Sequence, residues 1–292
     1  MNLSAMSPGS IKKNISFFIK VSRPRFWIYT GGTYVVGYAL ALTSFSDFLR
    51  PEYYLYLFYF FLLANVFIYG VNDYWDGETD KLNPKKDEKE CRIKNKERKK
   101  LLNVIYIVLG FSLIMMMFQN TGERIIFSIF LFLSYFYSAK PLRFKEKPFL
   151  DFSSNYLYIM PGIFAYYLLS GSFPSFIILM GAYFHIAAMH IFSAIPDIEY
   201  DSAAGIQTTP VFIGEKASLI LCSIFWIVLS LIVIYLSKFN LLSFLVLIYP
   251  IFPISLLLYN KIKIENIYWY LPYVNTCLGG LLFTAMVLYT IF

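Results

Sequence analysis

The chain has 292 residues, of which 58% are hydrophobic and 20% aromatic, while only 15% are charged. That balance excludes an ordinary water-soluble domain and a disordered chain, and it marks a polytopic membrane protein. The formal net charge of +7 follows membrane topology and is not a nucleic-acid signal.

Residues 1–25 are polar and basic, with Lys12, Lys13, Lys20, Arg23 and Arg25, and Ile11, Ile15, Phe18 and Ile19 recur among them. This pattern predicts a short amphipathic helix on the membrane surface. No apolar segment with a small-residue cleavage site precedes the first span, so no cleaved signal peptide is expected. Residues 26–292 read as an all-α bundle of nine transmembrane helices, at about 26–43, 53–72, 101–118, 125–139, 152–170, 175–195, 217–237, 241–259 and 269–291. Gly31, Gly32 and Gly37 in the first span permit close helix approach. Cys91, Cys222 and Cys277 have neither metal nor redox spacing.

With the N-terminus cytoplasmic, the loops 77–100, 140–150 and 197–216, the N-terminal segment and 260–268 together hold 22 Lys and Arg. The opposite side holds only Arg50, Arg124 and Lys238. The positive-inside rule fixes that orientation and closes the count of nine spans. Asp73 and Asp197 each end the second span of a four-span block, 124 residues apart. Such placement implies a parallel four-plus-four repeat about an axis along the membrane normal.

Two acidic clusters sit on that cytoplasmic side. Asn72, Asp73, Asp76 and Asp80 fall within about 100° of one another if the second span continues as a helix, whereas Glu78 points elsewhere. Asp197 and Asp201, at i and i+4, share a second face. Carboxylates crowded at a membrane edge repel one another and are costly to desolvate. Facing clusters of hard oxygen ligands suit Mg²⁺, which in turn binds diphosphate oxygens. Arg23, Arg25, Lys140, Arg143 and Lys145 supply cations at the same surface. A metal–diphosphate site in a membrane bundle points to a prenyl diphosphate donor. The allylic cation formed from it needs electron-rich walls, for which Tyr69, Tyr74, Trp75 and Tyr137 are candidates.

Asn72-Asp73-x-x-Asp76-x-x-x-Asp80 and Asp197-x-x-x-Asp201, continued by Gly205-Ile206 and Thr208-Thr209, resemble the two aspartate-rich signatures of the UbiA superfamily of intramembrane prenyltransferases. The resemblance implies Mg²⁺-dependent transfer of a prenyl group to a lipophilic acceptor that enters from the bilayer. Asp73, Asp76, Asp197, Asp201 and Lys140 would then serve catalysis, and Asn72, Asp73, Asp76, Asp80, Asp197 and Asp201 the metal. Arg23, Arg25, Asn72, Tyr137, Arg143 and Lys145 would bind substrate. Ser22-Arg23-Pro24-Arg25-Phe26-Trp27, Tyr137-Ser138-Ala139-Lys140-Pro141-Leu142-Arg143 and Phe192-Ser193-Ala194-Ile195-Pro196-Asp197 are similar to the lycopene elongase branch. That branch adds C5 units from dimethylallyl diphosphate to an acyclic carotenoid. Quinone-pathway members usually carry Tyr-x-x-x-Lys after the fourth span; here Pro141 takes that place and Lys140 stands one earlier, so Arg143 or Lys145 is the alternative diphosphate ligand.

Three rivals stand beside this expectation. One is transfer of a longer prenyl chain to an aromatic acid or quinone precursor. Another is a phosphatidyl-alcohol transferase, whose Asp-Gly-x-x-Ala-Arg pattern Asp76-Gly77-Glu78-Thr79-Asp80-Lys81 does not fit. The third is a cation-coupled transporter, which calls for acidic residues near the midplane of interrupted spans. No general base for the acceptor stands out in the sequence.

Overall fold

The computed structural model describes residues 8–76, 97–259 and 263–291. Asp80, Cys91 and most of the 77–100 loop lie outside these residues. All regular structure in the described residues is helical. Among the described residues six helices are long and apolar enough to cross a membrane: Pro51–Trp75, Arg98–Met117, Phe176–Ala203, Glu215–Leu236, Leu241–Leu258 and Ile264–Thr290. Three further helical runs lie where the sequence predicts the first, fourth and fifth spans. The first is broken into Pro24–Phe26, a widened π turn at Ile28–Gly32 and the helix Thr33–Leu40. The fourth, Thr121–Phe136, has 16 residues. The fifth is divided into Leu150–Ser153, Ser154–Tyr158 and Met160–Ser170.

In chain order the helices used below are α1 (Pro8–Ser22), α2 (Thr33–Leu40), α3 (Pro51–Trp75), α4 (Arg98–Met117), α5 (Thr121–Phe136), α6 (Met160–Ser170), α7 (Phe176–Ala194), α8 (Ile198–Ala203), α9 (Glu215–Leu236), α10 (Ile248–Leu258) and α11 (Leu271–Ile291). The inward face of α1 is Phe17 and Val21, while Ile15 is 59% exposed. The turn before α5 is closed by a reciprocal cap, in which Asn120 Oδ1 accepts the Glu123 N–H and Glu123 Oε2 accepts the Asn120 N–H.

The π turn at Tyr59–Leu63 inside α3 frees carbonyl groups in an apolar setting, where an unmade hydrogen bond is costly. Thr30 and Asn65 supply the donors. Thr30 Oγ1 donates to the Phe60 carbonyl at 2.7 Å, and Asn65 Nδ2 donates to the Phe60 and Phe61 carbonyls at 3.1 and 2.9 Å. The two widened turns, Ile28–Gly32 and Tyr59–Leu63, thereby lock together.

Two hydrophobic cores result. One gathers Phe17, Tyr34, Phe60, Phe67, Phe127, Phe164 and their neighbours. The other gathers Phe192, Trp226, Tyr249 and Leu271 with theirs. Tyr156, Tyr158 and Ile159 pack against both, so the division between cores falls inside the fifth helical run. The first and fifth runs meet backbone to backbone. A Cβ on Gly37 would lie 2.1 Å from the Gly162 carbonyl oxygen, and Thr33 Oγ1 donates to the Tyr158 carbonyl at 2.8 Å. Only glycine fits such an approach.

Gly37→Val should therefore cost about 1–3 kcal/mol or more, because the obstructing atoms are backbone and cannot move aside. Gly110→Ala, where an added Cβ meets nothing within 4 Å, should be neutral or slightly stabilising. Thermal unfolding followed by fluorescence-detected gel filtration in one detergent compares the two.

Candidate active site

The α3 helix ends at Trp75, and Asp76 caps it with its N–H on the Asn72 carbonyl at 2.9 Å. Asn72 and Asp76 are one turn apart and meet directly: Asn72 Nδ2 donates to Asp76 Oδ2 at 2.7 Å and to Ser138 Oγ at 3.0 Å. That leaves Asn72 Oδ1 as the atom of this side chain able to offer a lone pair to a cation. Asp73, one residue on, faces another way. It is buried, and Arg23 Nη2 donates to its Oδ1 at 2.5 Å. The Arg23 guanidinium also lies over the Tyr69 ring at 4.7 Å. Burial of a carboxylate in an apolar bundle demands such a partner.

Asp76 is the meeting point of two cations from the loop after α5. Lys145 Nζ donates to Asp76 Oδ2, and Arg143 Nη2 lies 3.3 Å from Asp76 Oδ1. Arg143 also pairs with Glu146 at 2.6 Å. The second acidic cluster follows α7. Asp197 is the residue just before α8 and Asp201 lies within it, so the i, i+4 pair shares one short helical turn.

These groups converge on one cavity of about 350 Å³ that lies between the two cores. Its polar lining includes Arg23, Asn72, Asp76, Lys145, Asp197 and Asp201. Phe26, Tyr29, Tyr69, Tyr137, Tyr158 and Trp269 give it an aromatic wall. Asp73 and Arg143 stand one layer back, each holding a residue of the lining. Lys140 is exposed and outside the lining. Arg25 borders the cavity, but its guanidinium stacks on Trp269 at 4.0 Å and donates to the Trp269 carbonyl at 2.5 Å. Tyr74 and Trp75 are outside the lining, Tyr74 lying instead under the Arg98 guanidinium at 4.6 Å.

Two polar lining residues belong to no motif in the sequence: Asn155 and His190 border the cavity beside Thr208 and Ser193, which come from the stretches 205–209 and 192–197 singled out above. Asp151 belongs to no motif either. It is fully buried, and it accepts the Thr209 N–H at 2.6 Å and the Thr209 hydroxyl at 2.5 Å. This clasp ties the loop after α8 to the start of the fifth run and gives Thr208-Thr209 its structural reason.

Among the described residues no three His, Cys, Asp or Glu side chains already close around one point. The donor set nonetheless fits a hard divalent cation. Asn72 and Asp76 from one side and Asp197 and Asp201 from the other bring amide and carboxylate oxygens to one cavity, with no thiolate and with cations at hand for an anionic co-ligand. The arrangement can hold a metal–diphosphate at its polar end and shield a carbocation along its aromatic wall.

The model of the UbiA prenyltransferase family matches residues 31–268. A lycopene elongase/hydratase of Haloferax volcanii is 35% identical over 274 residues, which cover 94% of this chain and 89% of that protein. Two solved structures of a UbiA homolog from Archaeoglobus fulgidus share the fold. The one bound to GPP and Mg²⁺ has a TM-score of 0.71 at 21% identity, covering 92% of this chain and 99% of that one. The one bound to DMAPP and Mg²⁺ has a TM-score of 0.70 at 20% identity, covering 92% and 98%.

Mg²⁺ with inorganic diphosphate should raise the unfolding temperature by about 3 °C or more at saturation, as binding to the folded state alone requires. Mg²⁺ by itself should do much less, since Asp76 starts out paired with Lys145 and Arg143. Asp197→Asn should abolish the joint shift. A differential scanning fluorimetry titration reads all three.

Proposed function

The chain belongs to the UbiA prenyltransferase family and is a prenyl-transferring enzyme, and from that premise we propose that it moves the dimethylallyl group of dimethylallyl diphosphate onto an acyclic carotenoid such as lycopene, releasing diphosphate. The observation that carries this reading is the single cavity in which Asn72, Asp76, Asp197, Asp201, Arg23 and Lys145 meet an aromatic wall. The relative from Haloferax volcanii, named for lycopene elongation, supports the choice of acceptor.

In this reading Asn72, Asp76, Asp197 and Asp201 hold Mg²⁺, with Asp80 as a further ligand and Asp73 acting through Arg23. Bound Mg²⁺ supplies positive charge to the diphosphate oxygens and so eases departure of the leaving group. Arg23 and Lys145 neutralise the remaining phosphate charge, and Arg143 keeps Asp76 in place. Lys145 takes the role expected of Lys140, which lies exposed. Tyr69, Tyr137 and Tyr29 keep water from the allylic cation and stabilise it through their ring faces. The acceptor's terminal alkene then attacks the cation to form the new C–C bond.

An acyclic carotenoid is far longer than a 350 Å³ cavity, so most of it lies along the bilayer. The last helix suits that entry. It lends Tyr268, Trp269, Leu271 and Pro272 to the lining, while only 6% of its apolar window is buried. We adopt nine spans in two four-helix blocks and a ninth, with the N-terminus and the polar end of the cavity cytoplasmic, because the Lys and Arg distribution favours it.

Purified protein with Mg²⁺, dimethylallyl diphosphate and lycopene should yield C45 and C50 products by chromatography. Asp76→Ala and Asp197→Ala should each lower the rate by about a hundredfold or more. Full activity in both variants would remove the metal assignment. Turnover of geranylgeranyl diphosphate with a hydroxybenzoate, and none with lycopene, would instead establish the aromatic acceptor.

A further inference from the structure

Prenyl transfer leaves a positive charge on the acceptor, which must shed a proton or take up water before product can leave. The acidic side chains at the polar end are engaged by cations or assigned to metal. We propose that His190, oriented by Asp151, accepts that proton. The assignment rests on the transfer reading above.

His190 sits on α7, two turns before Asp197, and lines the cavity beside Tyr137, Asn155 and Ser193. Its Nε2 is buried without a hydrogen-bond partner and looks at Asp151 Oδ2 from 3.9 Å. Asp151 cannot swing away, because Thr209 holds both of its oxygens. The Asn155 amide donates to the Asp151 carbonyl at 2.6 Å, and the Tyr137 ring stands edge-on to the imidazole at 6.2 Å. A buried, immobile carboxylate behind an imidazole that borders the substrate space is the pairing of a base with its orienting group. Asp151 makes no hydrogen bond from 3.9 Å, but its charge favours hydrogen on Nε2, the ring nitrogen near it, so Nδ1 is the nitrogen left to take a proton. Asp151 also stabilises the imidazolium once the proton arrives. The other polar lining near it, Ser193, Thr208 and Asn155, offers hydroxyls and an amide, which are far weaker bases.

Two outcomes balance at this site. In one, a C–H bond next to the cationic carbon breaks. Its electron pair forms the new alkene, and its proton passes to His190 Nδ1. In the other, a water oxygen forms a C–O bond to that carbon while one of its O–H protons passes to Nδ1, which leaves a tertiary alcohol. His190 returns the proton to solvent as the products depart. An aromatic acceptor needs the same base to restore its ring.

The test compares diphosphate released with prenylated acceptor formed, using Mg²⁺, dimethylallyl diphosphate and lycopene. Wild type should release one diphosphate for each C5 unit added. His190→Gln and His190→Ala should raise that ratio by about tenfold or more, because donor ionisation is no longer matched by product formation. Added imidazole should lower it again in His190→Ala. A role confined to helix packing would change the rate and leave the ratio alone, so an unchanged ratio overturns the assignment. Should neither variant purify, Asp151→Asn is read by the same ratio: raised about tenfold, it supports the pairing; unchanged, it overturns it. If wild type prenylates only a hydroxybenzoate, the carotenoid reading falls, and the ratio on that acceptor decides His190. A wild type that prenylates neither overturns both.

Discussion

A carboxylate cannot be buried in an apolar bundle without a partner, and the polar end of this molecule is built around that constraint. Asp73 takes Arg23, Asp76 takes Lys145 and Arg143, and Asp151 takes the backbone and hydroxyl of Thr209. Each partner comes from a part of the chain some fifty or more residues away, as the separations of Arg23 from Asp73, Asp76 from Lys145 and Asp151 from Thr209 show. The pairings thus join the segment before α2, the end of α3, the loop after α5 and the loop after α8. Desolvation offsets most of what such pairs contribute to stability. Their effect is geometric: they decide which atoms face the cavity and at what charge.

The apolar part of the molecule prepares the same space differently. Two separate cores leave a gap where they share Tyr156, Tyr158 and Ile159, and the cavity occupies it. One wall comes from Ile68 and Tyr69 of the first core, another from Ile186, Met189 and Leu271 beside the second. Both regions supply aromatic rings, so the cavity has rings on more than one side. The charged end and the aromatic wall are therefore products of two different packing problems solved at one place.

Much of this was legible in the chain itself. Long apolar runs and the one-sided distribution of Lys and Arg give the helical membrane bundle, and the Asn72–Asp76 and Asp197–Asp201 spacings mark both sides of the cavity. Periodicity fails at finer detail. It puts Asp73 on the same face as Asn72, yet Asp73 turns to Arg23 and leaves the lining to Asp76. Placement on the cytoplasmic surface makes Arg25 as good a candidate for the diphosphate as Arg23, whereas a tryptophan near the other end of the chain holds its guanidinium. Asp151 and His190 were invisible because each is a lone polar residue in apolar surroundings. Only the folded chain sets them side by side.

The contact of Gly37 with Gly162 bears on how material moves through the protein. Alternating access needs two bundles that rock about a sliding interface. Here the corresponding contact is backbone on backbone, with Thr33 bonded across it to Tyr158. No soft side chain is available there to absorb rotation, so the contact acts as a weld. Rotation of the first run against the fifth would have to break both that approach and the Thr33 bond.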